Sequence, residues 1–484
     1  MELELAFVNY ARPEDIAKVD LKGKLAVWRA SVHEPVWPGH PYGCSMAQER
    51  MEWLKAAGAV GVLIYNDERI AGGCPLPLYL YYPDPGYRSE IPVAQINHDE
   101  GVRLKRLLDA GPVRIEVNGN PDIEYTYHLS QPNRQRIPEN LTYNYTSASL
   151  AQVDSSYHDA GIPGLADVHW HAMLPDTFSV AGAEPFLSRS RRTEYFGGFD
   201  PNVLWLGQAD GPRDGDFAQL WKSVNEPSRT VQRWYSAPET FGSPDRPAIG
   251  SINGIVDCTM CRLGDVFVGV YSTMQPGGVM AGSWLNLTTQ LRKDGAELPK
   301  VPRAGLPEGM PIWELPKQDG VYKLTQTHGD NSATWTFHSK TVTDHAAPPG
   351  YSCATLLYGV PIGVEGPCAP QPLVFVGYDF GDAPDLWNKI TAGGKHALQV
   401  NAYHAKSNVP MPPIAGMNLW FSTDDGTTWL PARTTPTNQP GTYRTLVDIP
   451  ALAQTRGAIS LKVEAWDADG NRIEQTTLRA VTLK

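Results

Sequence analysis

Three side chains that could bind a metal ion alternate along the segment Asp167-Val168-His169-Trp170-His171. On a β-strand, side chains two residues apart point to the same face, so Asp167, His169 and His171 could together hold zinc or copper. The other interpretation is a solvated strand face next to Tyr157-His158. Because no clear set of further carboxylate ligands accompanies them, we predict no metal and no cofactor, and these three residues stand as the metal candidate.

The six cysteines form three couples that are close in sequence: Cys44 with Cys74, Cys258 with Cys261, and Cys353 with Cys368. A redox-active pair at Cys258 and Cys261 would open a helix after a strand, and a zinc ribbon would need a second closely spaced pair. Neither context is visible around these two residues. We therefore predict three local disulfides, which are typical of an exported protein.

Composition limits the classes of partner. The net charge is −11 without a basic block, which argues against binding to a nucleic-acid backbone. The longest apolar run, residues 56–65, is about half of a bilayer span, so no membrane partner is expected. The 45 glycines and 42 prolines indicate many turns and short strands.

The first residues, Met1-Glu2-Leu3-Glu4-Leu5, lack the basic start and apolar stretch of a secretory signal. The cysteine couples nevertheless indicate export. We resolve the conflict by expecting Met1 to lie inside a longer secreted polypeptide, so that the chain is extracellular.

Residues 1–121 contain alternating strand and helix patterns. Strands are predicted at 24–30, 60–65 and 113–117. Ser45 with Gln48, and Asn97 with Glu100, have the spacing of helix N-terminal caps. Leu104, Leu107 and Leu108 are expected to form the buried stripe of the second helix. This region is therefore predicted to be α/β.

From residue 122 onwards the helical periodicity disappears. Residues 122–245 are predicted to form a β-rich domain, and residues 246–380 and 381–484 two β-sandwiches of immunoglobulin or fibronectin-III-like type. Four Asp-Gly pairs are expected to mark hairpins: Asp294-Gly295, Asp319-Gly320, Asp425-Gly426 and Asp469-Gly470. Residues 422–429 fit the Asp-box pattern, which occurs once and so predicts a hairpin. The fourteen tryptophans are expected mainly inside these domains, with sugar-binding platforms as the alternative.

Four segments of the first region resemble the protease-associated (PA) domain found in or beside many secreted proteases. They are residues 23–29, Cys44-Ser45-Met46, residues 56–67 and residues 91–96. The sequence departs from this family in an insertion at residues 31–43. That insertion contains Trp37, His40 and Tyr42, which we predict to contact protein substrates; the alternative is that the loop packs over its own domain.

The remaining chain resembles the C-terminal region of large secreted bacterial subtilisin-like serine proteases. The resemblance rests on residues 257–265, 332–337 and 461–471, which occur in this order behind a PA domain. It implies non-catalytic accessory domains that serve substrate access or protein binding, with the catalytic domain elsewhere in the polypeptide. The implied partners are protein substrates and that catalytic domain.

One segment approximates the nucleophile motif of subtilisin-like enzymes. It is Gly43-Cys44-Ser45-Met46-Ala47, but Gln48-Glu49 follows where the motif requires a small residue and proline. The sequence has no matching aspartate or histidine motif, so no catalytic residue is predicted. Two rival functions remain, a stand-alone adhesion or carbohydrate-binding protein and a metallopeptidase.

Overall fold

The protein is described by a computed structural model. It describes residues 2–31, 47–67, 89–118, 124–130, 137–161, 165–174, 177–178, 183–197, 203–210, 217–222, 226–243, 260–269, 272–282, 288–304, 308–347, 356–357, 360–361, 364 and 366–484. The chain divides into two compact units. The first contains Met1–Ile123 with the short segments Ile162–Asp167 and Pro212–Asp214, and the second contains Glu124–Gly161, Val168–Gly211 and Gly215–Lys484.

The first unit is an α/β fold, as the alternating patterns predict. Its described elements are β1 (Glu2–Phe7), α1 (Pro13–Ile16), β2 (Leu25–Ala30), α2 (Ala47–Ala56), β3 (Gly61–Asn66), β4 (Val93–Ile96), α3 (His98–Ala110) and β5 (Arg114–Glu116). The strands lie in the order β4-β3-β2-β1-β5. The first four are parallel, and β5 is antiparallel to β1. Consecutive parallel strands need crossovers, which places helices on the sheet faces.

Each face of this sheet is covered by a separate apolar cluster. On one face Trp28, Val62 and Ile64 pack with Met51 and Leu54 of α2. On the other, strand residues pack with Val102, Leu104 and Leu108 of α3. Leu107 does not belong to this stripe, because it is 48% exposed; its prediction as a buried residue was wrong. In the described residues, no helix combines the length and apolarity needed to cross a bilayer.

Beyond residue 123 the regular secondary structure of the described chain is almost entirely β-strand. They are β6 (Tyr125–Leu129), β7 (Ala151–Tyr157), β8 (Leu165–Leu174), β9 (Thr177–Phe178), β10 (Ala183–Leu187), β11 (Ser190–Gly197), β12 (Leu204–Asp210), β13 (Phe217–Lys222), β14 (Arg229–Trp234), β15 (Thr240–Gly242), β16 (Cys261–Leu263), β17 (Val266–Val268), β18 (Ser272–Met274), β19 (Met280–Gly282), β20 (Thr288–Lys293), β21 (Ala296–Glu297), β22 (Ile312–Glu314), β23 (Gly320–His328), β24 (Asn331–Ser339), β25 (Leu356–Leu357), β26 (Val360–Pro361), β27 (Cys368–Pro370), β28 (Val374–Asp379), β29 (Lys389–Ile390), β30 (Gly394–His404), β31 (Ile414–Ser422), β32 (Leu430–Ala432), β33 (Thr434–Pro436), β34 (Thr442–Ile449), β35 (Ala458–Asp467) and β36 (Arg472–Leu483). Short 3₁₀ turns occur at Ser147–Ser149 and Leu452–Gln454.

A β-sandwich forms the C-terminal part of the second unit. One layer has the order β21-β20-β23-β24-β36-β35-β31-β32, and the other has the order β28-β30-β34-β33. Their inner side chains form one core, and the indole of Trp335 on β24 donates a hydrogen bond to the carbonyl of Val374 on β28 (2.8 Å). The predicted division at residues 380/381 falls within this core, and the four-domain division stays a prediction.

The Asp-Gly pairs behave differently from one another. Asp294-Gly295, Asp425-Gly426 and Asp469-Gly470 each join two antiparallel neighbours, β20 to β21, β31 to β32 and β35 to β36. Asp319-Gly320 does not, because β22 before it pairs with β17 while β23 after it pairs with β20 and β24. The hairpin predicted at Asp319-Gly320 was therefore wrong, because Gly320 is already the first residue of β23 and the strand before it pairs elsewhere.

Candidate functional site

The carboxyl ends of the parallel strands in the first unit meet at one edge of the sheet. Asn9 and Tyr10 follow β1, Ser31 follows β2, and Asp67 follows β3. The backbone amide of Arg29 donates to the carbonyl of Asn9 (2.7 Å), which holds the turn after β1 beside the end of β2. In open α/β sheets this edge is where ligands bind, because the connecting loops present side chains there. The predicted substrate-contact loop, residues 31–43, starts at this edge.

Tyr10 is the centre of a small cationic and aromatic cluster at this edge. The guanidinium carbons of Arg29 and Arg12 lie 4.4 Å and 5.6 Å from the centroid of its ring, and Arg29 also reaches Asp67 at 3.7 Å. The buried Arg50 donates to the Tyr10 carbonyl (3.0 Å). A ring held in this way loses little side-chain freedom on contact with a partner, which suits protein binding.

The second unit contains a buried polar network on the sheet with the order β14-β7-β11-β6. The carboxylate of Glu194 is fully buried, and it accepts hydrogen bonds from Arg192 (2.7 Å), from the Tyr157 hydroxyl (2.9 Å) and from the Ser155 hydroxyl. His128 lies 3.8 Å from the same carboxylate. Side chains at alternate strand positions bring these groups together on the inner face.

The charge state of this network follows from its contacts. Burial by itself would raise the pKa of the Glu194 carboxyl, but His128, Arg192 and Ser155 outweigh it and hold that pKa well below its usual range. Glu194 is therefore an anion paired with a buried guanidinium. Such a pair is strongly destabilising to break, because one charge is then left without a partner. The network therefore contributes to the stability of the folded sheet.

The outer face of the same sheet carries exposed aromatic rings. Tyr125 and Tyr127 on β6 are 56% and 57% exposed, and they stack on Tyr195 of β11 with ring centroids 6.5 Å and 5.1 Å apart. Next to them lies a cleft of about 430 Å³ lined by Tyr125, Thr193, Arg191 and other polar side chains. Large exposed rings beside a polar cleft are a feature of binding surfaces.

One serine–histidine pair lies in this cleft. The Nδ1–H of His158 donates to the carbonyl of Asp385 (3.0 Å), which leaves Nε2 to accept from the Ser156 hydroxyl (3.3 Å). Burial lowers the pKa of His158, and the charges of Arg233 and Arg191 lower it further. The neutral ring has a backbone carbonyl where a catalytic triad has a carboxylate, so it would not stabilise an imidazolium as a triad does.

The sequence-predicted site residues fall largely outside the described part of the chain. This applies to Trp37, His40, Tyr42 and Ser45, and to Cys44, Cys74, Cys258 and Cys353. Neither cysteine in the described part, Cys261 or Cys368, is a free thiol. The pairing of the six cysteines and the contact role of the loop stay predictions.

The metal candidates lie on a strand, as the alternation predicts. Asp167, His169 and His171 belong to β8, where Val168, Trp170 and Ala172 between and after them are buried; their own side chains lie outside what the structure describes. Within the described residues, no group of three or more His, Cys, Asp or Glu side chains is placed to hold a metal ion.

Comparison with known proteins identifies the first unit. The sequence of residues 1–104 matches the family described as the PA domain. Residues 1–104 are a PA domain. The resemblance to this family that the sequence patterns indicated is thus confirmed for residues 1–104, and the chain that follows in sequence is mainly β. No curated protein matches this chain.

Solved structures give partial similarities. An aminopeptidase from Aneurinibacillus sp. strain AM-1 is 18% identical over 27% of this chain and 33% of its own, with a TM-score of 0.16. BSAP, a zinc aminopeptidase from Bacillus subtilis, is 18% identical over 27% of this chain and 31% of its own, with a TM-score of 0.15. The chain thus covers about a third of each. The sulfane dehydrogenase SoxCD from Paracoccus pantotrophus is 10% identical over 40% and 65%, with a TM-score of 0.17.

Sequence reasoning missed the buried network and the tyrosine face. Arg192 and Glu194 are two residues apart on β11, so opposite charges share one face of a strand, and Tyr125 and Tyr127 have the same spacing on β6. These spacings are visible in the sequence. The residues that bind Glu194 cannot be identified in the same way, because Ser155 and Tyr157 lie on a strand more than thirty residues away.

Proposed function

We propose that this chain is a non-catalytic accessory region of a secreted subtilisin-like serine protease, and that its PA domain governs substrate access or binds protein substrates. The observation that carries the proposal is the PA domain at residues 1–104, since this domain is protease-associated. The catalytic domain of the parent protease and its protein substrates are the proposed partners.

The subtilisin-like parent is supported by sequence resemblance. Two of the segments that carry it have structural roles: Trp335 and Phe337 of residues 332–337 lie in the sandwich core. In residues 461–471, Asp467 accepts hydrogen bonds from the backbone amide of Asn471 (2.9 Å) and from its side chain (2.7 Å). Both segments therefore help to build the fold of the β region, and the accessory role of that region rests on the resemblance.

Secretion is part of the proposal. Cysteines that are not free thiols, such as Cys261 and Cys368, suit an oxidising compartment. Mass mapping of the oxidised protein should find Cys44–Cys74, Cys258–Cys261 and Cys353–Cys368. Free thiols or bridges between distant domains would argue against it.

A serine-hydrolase probe tests the non-catalytic role. The purified chain should not cleave casein and should not be labelled by a fluorophosphonate, because a serine must be activated to react. Ser45 and Ser156 are the serines to test for labelling, because Ser45 lies in the nucleophile-like motif and Ser156 contacts His158. Labelling that is lost in Ser45→Ala or Ser156→Ala, with casein cleavage lost in parallel, would replace the accessory role by a catalytic one.

The coding frame upstream of Met1 tests the parent. It should continue into a domain with the aspartate, histidine and serine motifs of subtilisin-like enzymes. An in-frame stop just before Met1, with no adjacent protease gene, would contradict the proposal.

A second candidate function, carbohydrate binding, is favoured by the exposed Tyr125 and Tyr127. Stacked rings give a flat apolar surface with low entropic cost on binding. If this is the function, soluble oligosaccharides should quench tyrosine fluorescence, and Tyr125→Ala with Tyr127→Ala should remove the effect. An unchanged spectrum at millimolar oligosaccharide would exclude it.

A further inference from the structure

The outer face of the sheet β28-β30-β34-β33 carries a groove of about 780 Å³ whose charge is opposite to that of the chain. Lys395, Arg433 and Arg444 line it, all three are exposed, and they have no acidic partner among the described residues. The whole chain has a net charge of −11. Three unpaired cations in one groove of an acidic protein form a local positive field that attracts anions.

The acid that lines this groove is already engaged. Asp379 accepts a hydrogen bond from the backbone amide of Gly381 (2.7 Å) and lies 3.8 Å from Arg233. Asp448, on the same outer face, is opposite Lys395 in the strand register but forms no ion pair with it in the described part of the chain. The cations of the groove are therefore available to an outside ligand.

Strand register sets the spacing of the groups in the groove. Arg444 is opposite Gln399, and two residues further along the strands Leu446 is opposite Ala397, followed by Lys395. At about 3.4 Å per residue, Arg444 and Lys395 lie about 13–14 Å apart along the strands. The order across the groove is thus cation, apolar, cation.

The apolar middle selects among anionic ligands. Leu446 is 59% exposed, and the aromatic residue that lines the groove, Phe380, is only 4% exposed. A charged polysaccharide packs its ring faces on exposed aromatic rings, whereas a polypeptide can place an aliphatic side chain on Leu446. An extended polypeptide also has side chains on one face at intervals of two residues, which matches the spacing of the groove.

We propose that this groove binds an extended acidic segment of a protein, with carboxylates at its first and fifth positions on Arg444 and Lys395 and an aliphatic side chain between them on Leu446. Arg433 flanks the middle of the groove. The hydroxyl of Thr445, the neighbour of Leu446, donates a hydrogen bond to the backbone carbonyl of Arg433 (2.9 Å). The ligand is thus defined by its pattern of charge and apolar character. This site is separate from the PA domain, and its proposal does not depend on the accessory role.

Fluorescence anisotropy on the full chain tests this, with a labelled peptide Glu-Ser-Leu-Ser-Glu flanked by glycines. The peptide should bind, with an affinity that falls as salt rises. The variant Lys395→Glu, Arg433→Glu, Arg444→Glu should weaken binding roughly tenfold or more, since two exposed ion pairs are lost and three cations of the groove become carboxylates that repel the peptide. A matched variant of the same net charge, Lys323→Glu, Lys340→Glu, Lys389→Glu, should change the affinity less than about twofold.

Three results would overturn the proposal. The first is no binding of the peptide to the unmodified chain at millimolar concentration, and the second is an equal loss in both triple variants. The third is equal binding of Glu-Ser-Ser-Ser-Glu together with tighter binding of heparin that the groove variant abolishes, which would assign the groove to anionic polysaccharide. Circular dichroism of both variants checks that they fold, and the serine-hydrolase probe reports separately on the accessory role.

Discussion

The two units of this protein differ in where their informative residues lie. In the PA domain, the family and the sheet follow from local sequence patterns, and the side chains predicted to touch a partner are on a loop. In the second unit, strands distant in sequence bring together the buried Glu194 network, the tyrosine face and the basic groove. Local motifs thus identified the PA domain, whereas the features of the β region depend on strand pairing.

We expect the greatest loss of stability from a substitution in the buried network of the second unit. Glu194→Gln should cost about 3–5 kcal/mol of stability, because Arg192 is then left buried without its anion. Hydrogen exchange should show faster exchange in β6, β7 and β11. An exposed control, Glu314→Gln, should change stability by less than about 0.5 kcal/mol. Unchanged exchange in these three strands would show that the network does not stabilise this sheet.

In the PA domain the stability of the sheet depends on close packing of helix on strand, whereas in the second unit it depends on a buried ion pair. A Cβ at Gly101 on α3 would lie 2.1 Å from Cγ of Tyr65 on β3. Gly101→Ala should therefore cost about 1–3 kcal/mol, since helix and strand must move apart.

Local hydrogen exchange of α3 and β3 measures this effect. Gly111→Ala, just after the same helix, is the matched control because a Cβ there meets nothing within 4 Å. Equal stability of the two variants would contradict the close packing of α3 on the sheet.

The smallest effect concerns a feature of the second unit that local sequence did predict. The Ser422 hydroxyl and the Thr428 amide donate to Asp424 (2.6 Å and 2.8 Å), and these bonds lower the pKa of Asp424 to about 2. Because the folded pKa lies below the unfolded value, this stabilisation is present above about pH 4 and is lost as pH falls towards 2.

Melting temperatures between pH 5 and pH 2 measure this contribution. Asp424→Asn should have a shallower acid slope than the unmodified chain. Other carboxyls titrate in the same range, so the difference between the two curves is the quantity to compare. Parallel curves would show that the Asp424 turn does not contribute.

Local features of the fold could be predicted from the sequence, but strand pairing could not. Asn97 accepts from the amide of Glu100 (2.9 Å), as their spacing predicts, because a cap depends on a few neighbouring residues. The strand predicted at 24–30 is observed as Leu25–Ala30 for the same reason. By contrast, β6 and β14 flank β11 and β7 as parallel neighbours, and no local pattern encodes such pairing.

The same distinction applies to the candidate sites. The charge pattern of the basic groove needs the register of β30 with β34, which places Leu446 opposite Ala397. The alternation of each strand was readable, but the alignment of two strands was not. Leu107 is a smaller failure of the same kind. Helical spacing predicted that it is buried, but it lies at the edge of the apolar stripe and is largely exposed.

The accessory role is tested most directly by kinetics of the polypeptide that joins this chain to its catalytic domain. Trp37→Ala with Tyr42→Ala should lower kcat/KM for casein and spare a short chromogenic peptide, which reaches only the catalytic cleft. Trp387→Ala in the second unit is the matched control, because this tryptophan is 51% exposed and belongs to neither candidate surface, and it should leave both rates unchanged. Equal losses on both substrates, or a lower melting temperature with unchanged kinetics, would contradict the proposed role of the PA domain.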